Sequence, residues 1–307
     1  LEMEGQYLYS SRKLYFMASV NNLDDPGQMG LIIDAFQRMR VKDFFSRLGL
    51  SNLPGFNERV KATGFSGPGQ LLTDDARSYL EQTKKKKMAR LVKTYEHEIL
   101  GRAATYRGKL LGYYKDCGLN SSSAAIVDVG WNASSLGYIN DLLRSEGLDC
   151  PSGFYFGTWA KARELLDKGY HLNSYFMHLD QPRLHRNIIR GNIAVMELFF
   201  TAPHSTIVDI EKQNGEWEAV FENVEGNAAE KNIIDQLYSG LVKYVNDLME
   251  VPGFNLEDQS TYYVKLVLDK TLNNPGYDTA RLLGRFRHKV SFGSVTELVP
   301  IAREPSN

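Results

Sequence analysis

The chain has 307 residues, 43% hydrophobic and 24% charged, with a formal net charge of -1, the composition of an ordinary globular protein with one large domain or two small ones. Its only cysteines, Cys117 and Cys150, exclude a disulfide framework and a Cys-rich zinc site, and they fit a reducing cytoplasm. The near-neutral charge gives no reason to expect nucleic acid as a partner, and no apolar run approaches the roughly 20 residues that span a bilayer.

In chain order, "YLYSSRKL" reads as a short buried strand, Tyr7 to Tyr9, ending in Ser10, Ser11 and Arg12. From Gln28 to Leu48 the apolar residues Leu31, Ile32, Phe36, Met39, Phe44 and Leu48 keep a helical period. "SNLPGF" and "GFSGPGQ" are turns built on Pro and Gly. A long helix is expected from about Asp75 to Cys117, with Gly118 as its stop. "AAIVDVGWNASS" follows: an apolar strand running into Asp128, a short loop, then a helix from Ser134 to Ser145. "SGFYFGTW" is another strand, so strand–helix–strand predicts parallel pairing. "NIIRGNIAVMELFFTAPHS" reads as helix and then loop. Asn214-Gly215 between two alternating runs predicts a hairpin. Helices are expected at about Ala228 to Met249, Leu256 to Leu272 and Pro275 to Gly284. The fold class is α/β: a small, mostly parallel, Rossmann-like sheet, a helical insertion (28–117) after the first strand, and a helical C-terminal part (227–307). The 307 residues read as a single α/β domain, and the start "LEMEGQYLYSSRK" as a cut into a longer protein.

The candidate site is the strand end at Asp128. Ligands of open α/β sheets sit beyond the carboxyl ends of the strands. Ser134 or Ser135 is expected to cap the helix, whose free N–H groups attract a phosphate or carboxylate. Gly130 lets backbone approach closely, and Trp131 offers a flat apolar face to a sugar or base. Asp128 would take a sugar hydroxyl, a metal or a proton; an aspartate after a buried strand is costly unless paired or used. The plainer alternative is that Asp128 and Asn132 hydrogen-bond the turn while Trp131 plugs the core. Ser11 and Arg12 would enter the same crevice from the first strand. There Arg12 either clamps a phosphate or pairs with Asp128. Glu197, flanked by Met196, Leu198 and Phe199, is expected to be desolvated, as suits a general acid or base, or else to anchor a helix. His204 follows Pro203 on a loop and is either catalytic or structural. The lysines of "KKKK" (84–87) are a solvated face. "YEHEIL" spreads Glu96, His97 and Glu98 over different helix faces, so it is no metal cluster. No nucleotide-binding loop, dinucleotide fingerprint or nucleophile elbow occurs.

The motifs "YLYSSRKL", "RGKLLGYYKDCGL", "AAIVDVGWNASS", "SGFYFGTW" and "MELFFTAPHS", in this order over roughly Tyr7 to Val295, resemble the C-terminal region of bacterial HAD-superfamily hydrolase-like proteins. These are often encoded among capsule and lipopolysaccharide genes. The Asp-x-Gly-Trp motif at Asp128 to Trp131 is the most specific of them. The HAD aspartate pair is absent here; in the family it lies in an upstream domain, so the hydrolase label does not carry over to these residues. Tyr138 stands near a position where the family often has glutamine. The order of strand, insertion, aspartate strand and loop also echoes phosphoribosyltransferases, in topology only.

The resemblance implies a part in surface-polysaccharide biosynthesis. One form is a transferase or hydrolase, such as a glycosyltransferase, that binds a phosphorylated or nucleotide-activated sugar through Ser11, Arg12, Gly130, Trp131, Asn132, Ser134 and Ser135. Asp128, Glu197 and His204 would be its catalytic residues. The other form is a non-catalytic binding or scaffolding module attached to the upstream HAD-like domain. No cofactor or metal is assigned.

Overall fold

The computed structural model describes residues 5–34, 39–73, 80–178, 189, 192–202, 204–222, 228–253, 261–285, 287–292 and 295–300. The chain divides into two compact units, one of Leu1–Tyr15, Leu111–His288 and Pro300–Asn307, the other of Phe16–Leu110 and Lys289–Val299.

The elements begin with helices α1 (Arg12–Ser19), α2 (Pro26–Asp34), α3 (Val41–Arg47), α4 (Phe56–Ala62), α5 (Gln82–Lys93) and α6 (Glu96–Asp116). Between α1 and α6 the second unit is helical, with a core in which Phe44, Phe45, Met88, Leu91 and Tyr95 are fully enclosed. The expected single helix up to Cys117 is broken at Thr94–Tyr95, and its expected start at Asp75 lies outside the described residues. The Thr94 hydroxyl donates to the Leu91 carbonyl (2.7 Å) and Tyr95 N–H tightens onto Val92 O (3.0 Å), which turns the tyrosine ring into the core. Gly118, at φ 72°, ends α6 as expected.

The first unit holds the sheet. Strands β1 (Ala125–Asp128), β2 (Ser152–Gly157) and β3 (Leu172–Met177) pair in parallel, in that order. Helix α7 (Ser134–Ser145) joins β1 to β2, and a 3₁₀ turn (Ala160–Ala162) with helix α8 (Arg163–Asp167) joins β2 to β3. The parallel pairing of the Ile126 and Phe154 strands is as expected; β3 has no counterpart in the sequence reading. On one face Leu136, Ile139 and Leu143 of α7 are fully buried. A Cβ at Gly153 would lie 2.6 Å from the end of the Leu136 side chain, which would have to shift to make room for it. The opposite face exposes Val127 (82%), Phe154 (44%) and Tyr175 (50%).

The strand expected at Tyr7 to Tyr9 is not formed. Residues 5–11 have no regular structure, and α1 starts at Arg12. Tyr9 N–H donates to the Tyr113 hydroxyl (2.8 Å) instead of to a neighbouring strand. The Ser11 hydroxyl accepts from Leu14 N–H (3.3 Å), the bond of a helix cap. The apolar run is therefore held by side chains of distant elements, and the helical portion does not follow a first strand.

Helix α9 (Ile193–Phe199) leads to the hairpin β4 (Ile207–Gln213) and β5 (Glu216–Phe221). Asn214 and Gly215 have φ of 51° and 92°, the two left-handed residues that a tight hairpin turn needs. Trp217 reaches back to α6: its indole donates to Asp116 (2.7 Å), and its ring lies so near Gly112 that a Cβ there would sit 2.8 Å away. The C-terminal part holds α10 (Ala228–Met249), α11 (Thr261–Leu268, extended by a π turn at Asp269–Asn273), α12 (Tyr277–Arg285) and the paired strands β6 (Arg287–Phe292) and β7 (Val295–Pro300). Val264, Leu268 and Leu272 pack against the cluster of Trp131, Phe176, Met177, Ile189 and Met196. Among the described residues, no helix is long and apolar enough to cross a membrane.

Candidate functional site at the end of the first strand

Asp128 is the last residue of β1 and stands opposite Tyr155 in the ladder. Its Oδ1 accepts the N–H of Val129 (2.7 Å), and its side chain is half-buried. Two buried phenols lie within reach of its charge, Tyr15 from α1 and Tyr155 from β2, and a third, Tyr114 of α6, adjoins Tyr15. Burial pushes the Tyr15 phenol up to about 12; Ser10 and the Tyr114 hydroxyl draw it down, and the Asp128 charge adds to the rise. Burial also raises Tyr155, helped by Asp128 and opposed by the Leu136 backbone at the start of α7. Tyr114 is raised well above its ordinary value, first by burial and then by Tyr15. None of the three hydroxyls reaches a partner in good hydrogen-bonding geometry. Tyr138 of α7 stacks on Tyr15 with ring centres 5.6 Å apart.

The loop after Asp128 is fastened to the end of β2. Val129 O accepts from Gly157 N–H (3.2 Å), and Trp131 O from Trp159 N–H (2.7 Å). Gly130 has φ 150°, and a Cβ there would stand 2.5 Å from the Gly157 carbonyl oxygen, so only glycine fits. Trp131 is 8% exposed and belongs to the core cluster, tilted against Trp159 at 5.9 Å. Its ring is a core plug and offers no open face. Asn132 and Ser134 are exposed and Ser135 is half-buried.

Neither Ser134 nor Ser135 caps α7, contrary to expectation. The cap position is Ala133, in a left-handed conformation at φ 51°, with no side-chain hydrogen bond. The helix starts at Ser134 itself, so Ser134 is its first helical residue and Ser135 its second, and neither stands at the cap position. The first intrahelical bond runs from Gly137 N–H to Ala133 O (3.1 Å).

The other expected site residues fall into separate groups. Ser11 donates to Ile207 O (2.7 Å) besides capping α1. The Arg12 side chain lies outside the described residues. Glu197 of α9 accepts the Trp131 indole N–H (3.0 Å). His204 Nδ1 donates to Ser205 O (2.9 Å), and Nε2 is hydrogen-bonded with the Tyr7 hydroxyl (2.9 Å). Its ring packs among Tyr7, Tyr9 and Phe221. The structure thus brings Asp128 to the phenols, Glu197 to Trp131 and His204 to an aromatic group. Pro203 lies outside the described residues.

Sequence reasoning missed Tyr15, Tyr114 and Tyr155. For Tyr155 the signal was present: Gly153, Tyr155 and Gly157 alternate along β2 and are buried on one face with Ile126. For Tyr15 and Tyr114 it was not, since each arrives on a different helix. Among the described residues, no three His, Cys, Asp or Glu side chains gather as a metal-ligand set. No protein-family model matches the chain, and no curated protein matches it.

Proposed function

We propose that the end of β1 and the start of α7 bind a phosphorylated or nucleotide-activated sugar, and that the chain serves surface-polysaccharide assembly beside an upstream HAD-like domain. The observation that carries this is the start of α7: a twelve-residue helix with no side-chain cap, following directly on Asp128 and bordered by exposed Asn132 and Ser134. Uncapped N–H groups at a helix start favour a phosphate, and a neighbouring carboxylate suits a sugar hydroxyl. One ligand carrying both groups satisfies both partners. In this reading the sheet is the centre of a Rossmann-like fold with its ligand beyond the strand ends. Arg12 neutralises the phosphate. Asp128 holds the sugar hydroxyl or takes its proton in transfer or hydrolysis. A cytoplasmic place fits the two free thiols, Cys117 and Cys150.

The second reading is a binding or scaffolding module without chemistry. It is favoured by Glu197 and His204 each being engaged by an aromatic partner of its own, Trp131 and Tyr7. Thermal-shift titration with UDP-glucose, glucose 1-phosphate and their relatives tests the binding common to both. A ligand at about 100 times its Kd adds roughly 2.7 kcal/mol. Arg12→Ala is expected to weaken that binding by about 1.5–3 kcal/mol and Asp128→Ala to abolish it. Large, strongly coupled losses of unliganded stability in both variants would reduce the pair to a structural one. Turnover in the wild type, lost in Asp128→Asn, separates the enzyme from the module.

A further inference from the structure

Burial of Trp131 leaves the proposed sugar without an exposed aromatic face at the end of β1. The same unit carries such faces elsewhere. Tyr7, Tyr9, His204 and Phe221 form a group of four rings at the surface, with Tyr7 57% and Phe221 40% exposed. Tyr7 meets Tyr9 edge to face at 5.3 Å and His204 at 5.6 Å, and His204 lies 4.9 Å from Phe221. Tyr9 in turn meets the edge of Phe221 at 6.3 Å. In edge-to-face packing each ring braces its neighbour and leaves part of its own face to solvent. His204 is fixed at both nitrogens, to Ser205 O and to the Tyr7 hydroxyl, so the Tyr7 ring is held at both its edge and its hydroxyl.

Single exposed aromatic residues are common and carry no meaning. Four rings braced by one another and by two hydrogen bonds are different, because the ordering of the side chains is complete before any ligand arrives. We infer that this group is a saccharide-stacking subsite, taking the apolar C–H face of a pyranose ring on Tyr7 and Phe221. The inference rests on the proposed function and extends it: an activated sugar sits at Asp128, and the acceptor or growing glycan rests on the aromatic group.

The test is saturation-transfer NMR with the methyl pyranosides of glucose, galactose, mannose and N-acetylglucosamine, and with a proline-rich peptide as the rival ligand for an aromatic surface. Wild type, Tyr7→Ala, Tyr7→Phe and Phe221→Ala are compared, each checked for an unchanged melting profile. The expected result is transfer to pyranose ring protons, reduced about fivefold in both alanine variants, the size of a lost ring contact, and retained in Tyr7→Phe. Absence of transfer to every glycoside, transfer indifferent to Tyr7 and Phe221, or transfer to the peptide alone overturns the inference. Failure of the Asp128 site is read separately: UDP-glucose and glucose 1-phosphate then produce no thermal shift, while glycoside transfer still follows Tyr7 and Phe221.

Discussion

The Trp131 indole N–H donates to the Glu197 carboxylate at 3.0 Å, which ties the loop after β1 to helix α9. This bond explains two residues at once. It gives the half-buried carboxylate a donor, and it satisfies the one polar atom of a buried indole. Trp131→Phe keeps most of the packing but leaves Glu197 without that donor. It is expected to lower stability by about 1.5–3 kcal/mol, the value of a hydrogen bond to a charged group. Glu197→Gln, which preserves an acceptor, is expected to cost less. Urea unfolding of both variants checks the order.

Gly130→Ala places a Cβ against the Gly157 carbonyl oxygen in a backbone conformation reserved for glycine. The loop then has to leave β2. A loss of about 1–3 kcal/mol is expected, with weaker response to any ligand of the α7 start. A variant as stable as wild type by chemical denaturation would show that the loop does not need this approach.

Ser11→Ala removes the α1 cap and the bond to Ile207 O together. The expected cost is about 1–2 kcal/mol, read from the melting transition. Binding of sugar phosphates per folded molecule should stay the same if Ser11 acts only in this way; a selective loss of binding would return it to the ligand.

The phenols give the pH dependence. Tyr15 has its pKa raised from 10.0 to about 12 in the folded chain, chiefly by burial. A raised pKa means that the folded state holds its proton longer than the unfolded state does. This contribution to stability is complete below pH 10 and is lost as pH rises towards 12. Tyr114 and Tyr155 shift in the same direction for the same first cause. Alkaline unfolding is therefore expected to begin above pH 10 and to coincide with phenolate absorbance. Tyr15→Phe should flatten the decline, and an unchanged profile in that variant would remove Tyr15 from the explanation.

The local pattern of the sequence was sufficient for much of the fold. Apolar runs in "AAIVD" and "GFYFG" with a helical period between them specified β1, α7, β2 and their parallel pairing. Asn214-Gly215 specified a hairpin, because a tight turn requires two left-handed residues and these two adopt that conformation cheaply. The strand end at Asp128 was legible because a charge after an apolar run marks the end of a strand, although β1 buries only one face and leaves Val127 exposed.

What the tertiary structure alone decided are relations between residues far apart in the chain. "YLYSS" reads as a short buried strand, yet its Tyr9 N–H goes to a hydroxyl 104 residues away, and no ladder forms. Trp131 and Glu197, 66 residues apart, each left two readings open, a sugar platform or a core plug and an acid or a helix anchor, until the fold set the indole against the carboxylate. The phenols Tyr15, Tyr114 and Tyr155 arrive from α1, α6 and β2, and no spacing in the sequence records that meeting. Periodicity reports which side of an element is buried. Which partner waits on that side is settled by packing, where the apolar area removed from water and the need of each buried polar group for a partner are met together.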